Sequence, residues 1–467
     1  MDSTELAFAG PARQAELIRT REVSPRELVD LYLERIERID PRLNSFRVVF
    51  AERARVEAQQ AEGRAGAGDN RPLLGVPIAV KDNLDVAGEV TALGSDAAGG
   101  PAPADAEQVR RLRQAGAIVI GKTHMSELAI FPWTESQTFG VTRNPWNPEL
   151  TPGGSSGGSG AAVAAGLASA ASATDGGGSI RIPASCNGLV GLKTQRGRVP
   201  FTPEPVHWHA LSVAGCVSRR VADTALWLDV VSGPLDGDPL AIPAPDRPFA
   251  DAAARPPEKL RVAVSFAAPL NAKVHAAVRR AIEETAAVLR SLGHDVRERD
   301  VDYPELRPPF VPRWAHGIHQ DVQAMAHPGR LEKRTRALST LGRVIGERRA
   351  QRARDKEPKV AARVNKVFAD HDVVLTATTA RPPHAADKFH GKGWFASLNA
   401  AVPVAAFATA WNVTGQPAIS VPAPSLHEGL PLGVQLIGRP SDEATLIALA
   451  AQLEAEVGWP ERRPPVD

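Results

Sequence analysis

The sequence predicts an α/β fold, because short apolar segments typical of buried strands alternate with segments of helical periodicity. GVPIAV (75–80) has the pattern of a strand, DAEQVRRLRQAG (105–116) that of a helix, and AIVIG (117–121) that of the next strand. The same order recurs between RVAVSF (261–266) and HDVRERDV (294–301), which flank a long helical segment. This alternation favours a sheet with helices on its faces.

Elements at both ends of the chain extend this prediction. A helix starts at Ser24 as N-cap, with Pro25 at its first position and Glu27 completing a capping box, and we expect Asp40-Pro41 to end it. A second helix should end near Gly63. Further strands are predicted at VVLTAT (373–378), AISVPA (418–423) and GVQLIG (433–438), before a final helix.

The composition indicates an ordinary globular protein and excludes several function classes. The chain has 467 residues, of which 43% are hydrophobic, and a net charge of +2, so no strong field favours nucleic acid or membrane lipid. The basic segment 343–366 also contains acids and has the pattern of a solvated helix face. The sequence shows neither a signal peptide nor an apolar run near the ~20 residues that span a bilayer.

The two cysteines, Cys186 and Cys216, lack metal-ligand spacing, which fits a reducing cytoplasm and predicts no metal site. The Pro-rich stretch 239–257 is the best internal boundary, whether between domains or as a surface loop.

Two glycine motifs suggest functions that their context disfavours. Gly116–Thr123 (GAIVIGKT) matches the phosphate-binding pattern G-x-x-x-x-G-K-[ST], a remote indication of a nucleotide binder. Its four intervening residues are strand-forming, whereas the mechanism requires a loop there. GSSGG (154–158) matches the G-x-S-x-G elbow with Ser156 as nucleophile, but a proline-broken segment stands where the elbow needs a strand.

A third interpretation joins two segments. Ser179 ends the glycine run DGGGS, whose backbone N–H groups can converge on an oxyanion without interference from β-carbons. A serine nucleophile also needs a base. Lys81 follows a buried strand, where desolvation lowers an amine's pKa, and is therefore a candidate base.

The segments GVPIAVKDN, TPGGSSGGSGAAVAAG and DGGGSIRIPASCNGLVGLK together resemble the core of the amidase signature family. Further phrases, including RNPWNP, TGQPAISVP and GVQLIGRP, occur in family order along nearly the whole chain. The resemblance implies one α/β/α domain over residues 1–467, with a large twisted mixed sheet flanked by helices. The signature core, about 66–235, would form the centre, with loop 239–257 and the C-terminal part 258–467 packed outside.

The resemblance also implies a Ser–cisSer–Lys triad that hydrolyses a carboxylic amide to an acid and ammonia or an amine through an acyl-serine. Matched motif to motif, Ser179 is the nucleophile, Ser155 the bridging serine after a cis Gly154–Ser155 bond, and Lys81 the base. The oxyanion donors are the N–H groups of Gly176, Gly177, Gly178 and Ser179. Support roles fall on Ser156, Asp175 and Arg181. No metal or organic cofactor is implied.

Two departures from the family pattern and one weaker assignment accompany this match. Many members carry Thr or Ile in place of Gly176, so we expect a looser loop here, and SCNG (185–188) shifts the cysteine, so Cys186 is not assigned as catalytic. The assigned substrate contacts, for which core packing is the alternative, are Met125, Leu128, Phe131 and Trp133. Trp314 and Trp394 are further candidates, for which core or surface packing is favoured.

The main alternative within the family is the catalytic A subunit of the glutamyl-tRNA(Gln) amidotransferase. That protein usually has Gln where this chain has Ile182, and Y-G-R-V-S where this chain has RGRVP (196–200). Both differences favour a free-standing amidase with a small-molecule amide substrate. The sequence leaves the oligomeric state open, a homodimer included.

Overall fold

An eleven-stranded mixed sheet and a separate two-stranded hairpin form the β structure of the computed structural model, which describes residues 1–466. The strands are β1 Phe46–Val49, β2 Pro77–Lys81, β3 Ile118–Thr123, β4 Glu135–Ser136, β5 Gly140–Val141, β6 Ala171–Asp175, β7 Val190–Lys193, β8 Val213–Ser218, β9 Arg261–Val264, β10 Asp295–Glu298, β11 Val373–Ala377, β12 Ala418–Pro422 and β13 Gly433–Ile437. The mixed α/β class and the large mixed sheet predicted from the sequence are confirmed.

Helices cover both faces of this sheet. They are α1 Ser3–Ala7, α2 Pro11–Arg19, α3 Pro25–Leu43, α4 Ala51–Gly66, α5 Glu107–Gln114, α6 Gly157–Ala164, α7 Arg181–Asn187, α8 His207–Ala210, α9 Val221–Val231, α10 Phe249–Ala253, α11 Ala276–Ser291, α12 Arg307–Ala324, α13 Lys333–Arg354, α14 Glu357–Val364, α15 Trp394–Thr414 and α16 Glu443–Val457. Buried apolar side chains fill the space between helices and sheet.

The order of the strands places the centre of the sheet where the two halves of the chain meet. The order is β1-β3-β2-β6-β8-β7-β12-β13-β11-β9-β10. β2 pairs in parallel with β3 and β6, whereas β7 pairs antiparallel with β12. The part after Pro257 was expected outside the sheet, but it supplies β9 to β13. The apolar strands of this part extend the sheet because their backbone groups need partners when buried.

Local signals explain where several elements begin and end. The capping box at Ser24 is present: Glu27 N donates to Ser24 Oγ at 3.2 Å, and Ser24 N donates to the Glu27 carboxylate at 2.7 Å. Pro41 does not end α3 as expected, because the helix continues to Leu43. It ends where Asn44 adopts a left-handed conformation with φ of +53°. α4 likewise runs to Gly66, three residues beyond the predicted end.

One helix corrects the expectation that no apolar run approaches a membrane-spanning length. Among the described residues, α15 (Trp394–Thr414) alone is long and apolar enough to cross a membrane by length and composition. Its last part, 406–413, is entirely buried beneath neighbouring elements. A core helix meets the same criterion, so the finding is weak evidence for a membrane span.

The GAIVIGKT segment does not form a phosphate-binding loop. Residues 118–123 are the buried strand β3, as the sequence context suggested. Lys122 is fully buried, and its Nζ lies 3.0 Å from Asp82 Oδ1 and donates to Thr91 Oγ1 at 2.8 Å. The lysine that would bind phosphate is therefore occupied by an internal ion pair.

Candidate active site

Two neighbouring parallel strands bring a lysine and a threonine together at one edge of the sheet. Lys81 ends β2, and Thr174 stands one residue before the end of β6. Lys81 Nζ donates to Thr174 Oγ1 at 2.8 Å and to Ser155 Oγ at 2.8 Å. All three residues are buried, and burial lowers the pKa of Lys81 to about 7, an effect that the charge of Asp175 opposes. A neutral amine is therefore accessible near neutral pH.

The turn before α6 presents Ser155 to this lysine. The Gly154–Ser155 peptide bond is cis, as the resemblance implied. A β-carbon at position 154 would lie 2.5 Å from Trp133 N and 2.6 Å from Trp133 C. Backbone atoms cannot yield as a flexible side chain can, so only glycine lets the turn approach Trp133 this closely.

Substitution of Gly154 tests this close approach. We expect Gly154→Ala to displace Ser155 from Lys81 and to lower kcat/KM by about 100-fold, since a misplacement near 1 Å has effects of this order. Steady-state kinetics of amide hydrolysis measure the loss. The matched control is Gly63→Ala in helix α4, where an added β-carbon meets nothing within 4 Å. Equal activity of the two variants would contradict the role of Gly154.

Ser179 lies in the loop that follows β6, at the base of a cavity. The side chain is 9% exposed, and Gly177 and Ser179 both line the cavity. One predicted oxyanion donor is wrong: Gly178 N donates to Asp175 Oδ1 at 2.6 Å and is not free for a substrate. The carboxylate competes for this amide because Asp175 ends the strand directly below the loop. The N–H groups of Gly176, Gly177 and Ser179 remain the candidate donors.

Asp175 and Arg181 form a fully buried ion pair beneath the loop, with Arg181 Nε 3.0 Å from Asp175 Oδ2. Although burial alone raises the pKa of Asp175, the adjacent Arg181 guanidinium lowers it well below its usual value. Asp175 Oδ2 also accepts from Ile180 N at 3.2 Å. The carboxylate thus fastens both ends of the segment that carries Ser179, which is a positioning role.

Two residues of the C-terminal half complete this network and escaped sequence reasoning. Arg181 donates to Asn412 Oδ1 at 2.7 Å and to Gln435 Oε1 at 2.6 Å, and Asn412 Nδ2 donates to Asp175 Oδ1 at 2.9 Å. Both residues are buried polar groups at the end of α15 and in β13. Lone polar residues inside apolar segments were the only signal in the sequence that could have identified them.

The expectation of a loose loop at Gly176 is wrong, because the Trp208 indole fills the space. A β-carbon at position 176 would lie 2.8 Å from two atoms of that ring. Trp208 has a left-handed backbone with φ of +51°, and its Nε1 donates to Asp321 Oδ2 at 2.8 Å. An aromatic ring held at both ends therefore takes the place of the Thr or Ile of other family members.

The remaining small residues of the site are placed as follows. Ser156 is buried, and its Oγ lies 3.4 Å from both the N and the O of Thr174, so its hydroxyl faces the β6 backbone. Residues 151–153, just before this turn, form no strand, which disagrees with the hydrolase elbow. Cys186 is buried, and burial raises the pKa of its thiol to about 12. A thiolate is therefore inaccessible at neutral pH, in agreement with its exclusion as a catalytic residue.

The four assigned substrate contacts divide between core and cavities. Met125 and Trp133 are core residues at 1% and 0% exposure. Phe131 lines the cavity that contains Ser179, and Leu128 lines a second cavity beside it. The structure therefore brings only Phe131 of the four to the Ser179 cavity.

The two further tryptophans also differ in position. Trp314, for which packing was favoured, lines the cavity, whereas Trp394 is 40% exposed outside the residues that line it.

Two groups of side chains could hold a metal ion. Within the described residues they are His209, His316 and Glu347, and Glu204, His207 and Asp321, each with ligand atoms within 4.8 Å of one another. In the first group His209 Nε2 and His316 Nδ1 share a hydrogen bond of 2.9 Å. Neither group includes Lys81, Ser155 or Ser179.

Comparison with known proteins places the chain in a family. The amidase family model matches residues 27–447. A Mycobacterium tuberculosis protein that carries the name amidase AmiB2 is 48% identical over 469 residues, with 100% of both chains covered. The chain therefore belongs to the amidase family and is a hydrolase of amide C–N bonds.

Solved structures agree with this placement. The structure of 6-aminohexanoate cyclic dimer hydrolase matches with a TM-score of 0.91 at 31% identity, over 98% of this chain and 99% of that chain. The glutamyl-tRNA(Gln) amidotransferase protein from Thermotoga maritima, its catalytic component, matches with a TM-score of 0.78 at 26% identity, over 95% of both chains. The structural likeness to the amidotransferase protein is thus the weaker of the two.

Proposed function

We propose that the protein is a free-standing amidase that uses Ser179 as nucleophile, Ser155 as bridging proton carrier and Lys81 as base. The observation that carries the proposal is the 2.8 Å contact between the buried amine of Lys81 and Ser155 Oγ. A serine hydroxyl is almost wholly protonated at neutral pH and needs such a base. Lys81 accepts the proton of Ser155, which accepts that of Ser179.

The bonds then change in two stages. Ser179 Oγ attacks the amide carbonyl carbon, and the N–H groups of Gly177 and Ser179 stabilise the resulting oxyanion. Ser155 returns its proton to the leaving nitrogen, the C–N bond breaks, and the acyl group remains on Ser179. Water attacks this ester through the same relay, which releases the acid and restores the Ser179 hydroxyl.

The amidotransferase protein is the alternative within the family. The higher similarity to amidase-named proteins and the replacement of its usual Gln by Ile182 favour a free-standing enzyme. Ile182 is buried, and its Cδ1 would lie 2.6 Å from a β-carbon at Gly178. An apolar side chain thus packs against the loop at this position.

Hydrolysis without ATP or a partner protein tests the proposal. The purified chain should convert amides from a pool of anilides, alkyl amides and carbamates to acid products, which mass spectrometry detects. A strict requirement for ATP and additional proteins would instead support the amidotransferase alternative.

A further inference from the structure

The cavity above Ser179 has a volume of 310 Å³ and apolar walls. The Phe310 ring closes directly on the nucleophile loop, since its Cζ lies 3.3 Å from where a β-carbon of Gly177 would stand. Phe310 stacks on Trp314, one turn further along α12, with ring centroids 6.4 Å apart. Trp208 and Val402 add further apolar surface. A volume of this size accommodates a short alkyl chain or an aromatic ring.

The walls offer no free charge to a ligand. Among the described residues that line the cavity, only Arg307 is charged, and its guanidinium lies 2.7 Å from the Glu305 carboxylate at the surface. The Thr409 hydroxyl donates to Ala405 O at 2.9 Å and is likewise occupied. An ionised group in this cavity would lose its hydration without gaining a partner.

The hydrogen bonds of Lys81 indicate which part of an amide enters the cavity. Thr174 Oγ1, which accepts from Lys81, also accepts from Asn83 Nδ2 at 3.0 Å, and Asn83 lines the second cavity. The second cavity lies on the other side of the Leu128–Ala129 turn. The leaving nitrogen must face the relay to receive its proton. The acyl group is then directed to the apolar side.

We propose that the substrates are amides with an uncharged, apolar acyl group, which occupies the cavity lined by Trp208, Phe310, Trp314 and Val402. This inference rests on the proposed function, because it takes Ser179 as the nucleophile. It assigns selectivity to the acyl side of the scissile bond and excludes carboxylated acyl chains as good substrates.

A series of p-nitroanilides with a constant leaving group tests the proposal by kcat/KM. We expect a rise of about threefold to fourfold per added methylene from acetyl to hexanoyl, as burial of apolar surface predicts. Succinyl should be poorer than butanoyl by on the order of 100-fold, because its carboxylate would be buried unpaired. A second series of hexanoyl amides with varied amines should depend less on apolar size. Acyl independence, or a steeper dependence on the amine, would overturn the proposal.

Binding to Ser179→Ala separates this proposal from the relay, since no turnover is needed. Calorimetry should show tighter binding of hexanamide than of acetamide, and weaker binding of succinamate. This order in the absence of any wild-type turnover would refute the relay alone, whereas equal affinities would overturn the acyl assignment.

A matched pair of variants on α15 locates the effect. Leu398 lines the cavity, whereas Phe395 is 66% exposed and does not. We expect Leu398→Asp to abolish the preference for hexanoyl over acetyl, and Phe395→Asp to keep it. The same preference in both variants would place the acyl group elsewhere.

Discussion

Replacing Ser179 by Ala should lower kcat for amide hydrolysis by about 10⁴-fold or more, because no acyl-enzyme can form without its oxygen. The loop should keep its shape, since Asp175 fastens it through Gly178 N, Ile180 N and Arg181 rather than through the Ser179 hydroxyl. Rates of acid formation by the purified variant and the wild type measure the loss. Circular dichroism checks that the fold is retained.

Ser156→Ala is the companion variant, because Ser156 is the nucleophile of the competing elbow motif. Its Oγ faces the backbone of Thr174, so we expect a loss near tenfold from altered support of the turn. A Ser179→Ala enzyme that still turns over, beside an inactive Ser156→Ala enzyme, would reverse the assignment.

Replacing Lys81 by Met should lower kcat/KM by about 10³-fold to 10⁴-fold, because the serine relay loses its base. The pH profile supplies the more specific readout. Burial lowers the pKa of Lys81 to about 7, and only the neutral amine accepts a proton. Wild-type kcat/KM should therefore fall tenfold per pH unit below about 7 and level off above it, whereas Lys81→Met should lack this inflection.

Lys122→Met is the matched control, since Lys122 is also a fully buried lysine, on the adjacent strand β3. Its Nζ pairs with Asp82 and lies outside the relay. We expect lower thermal stability from the unpaired carboxylate but an unchanged inflection near pH 7. An inflection that survives in Lys81→Met would show that another group is the base.

The sequence could predict the local parts of this site because each depends on a short motif. Lys81 follows an apolar strand, and glycines surround Ser155 and Ser179, so buried base, tight turn and amide donors all have local signatures. The assignment of partners came from the family resemblance. The fate of Gly178 N could not be predicted, because competition from Asp175 depends on three-dimensional orientation.

Long-range packing explains the other differences. Gly176 was expected to loosen the loop, but the Trp208 ring, 32 residues away in sequence, occupies the space. The C-terminal half was expected outside the sheet, yet β12 pairs with β7 and brings Asn412 and Gln435 towards Arg181. Spacing within one segment carries no information on such contacts.

The location of the acyl group during turnover tests the central claim most directly. The enzyme would be mixed with a slowly hydrolysed anilide, quenched in acid within milliseconds and digested with trypsin. Cleavage after Arg143 and Arg181 releases peptide 144–181, which contains Ser155, Ser156 and Ser179. Fragmentation should locate the acyl mass on Ser179. An adduct on Ser155 or Ser156, or turnover that proceeds with no adduct on the peptide at any quench time, would contradict the account.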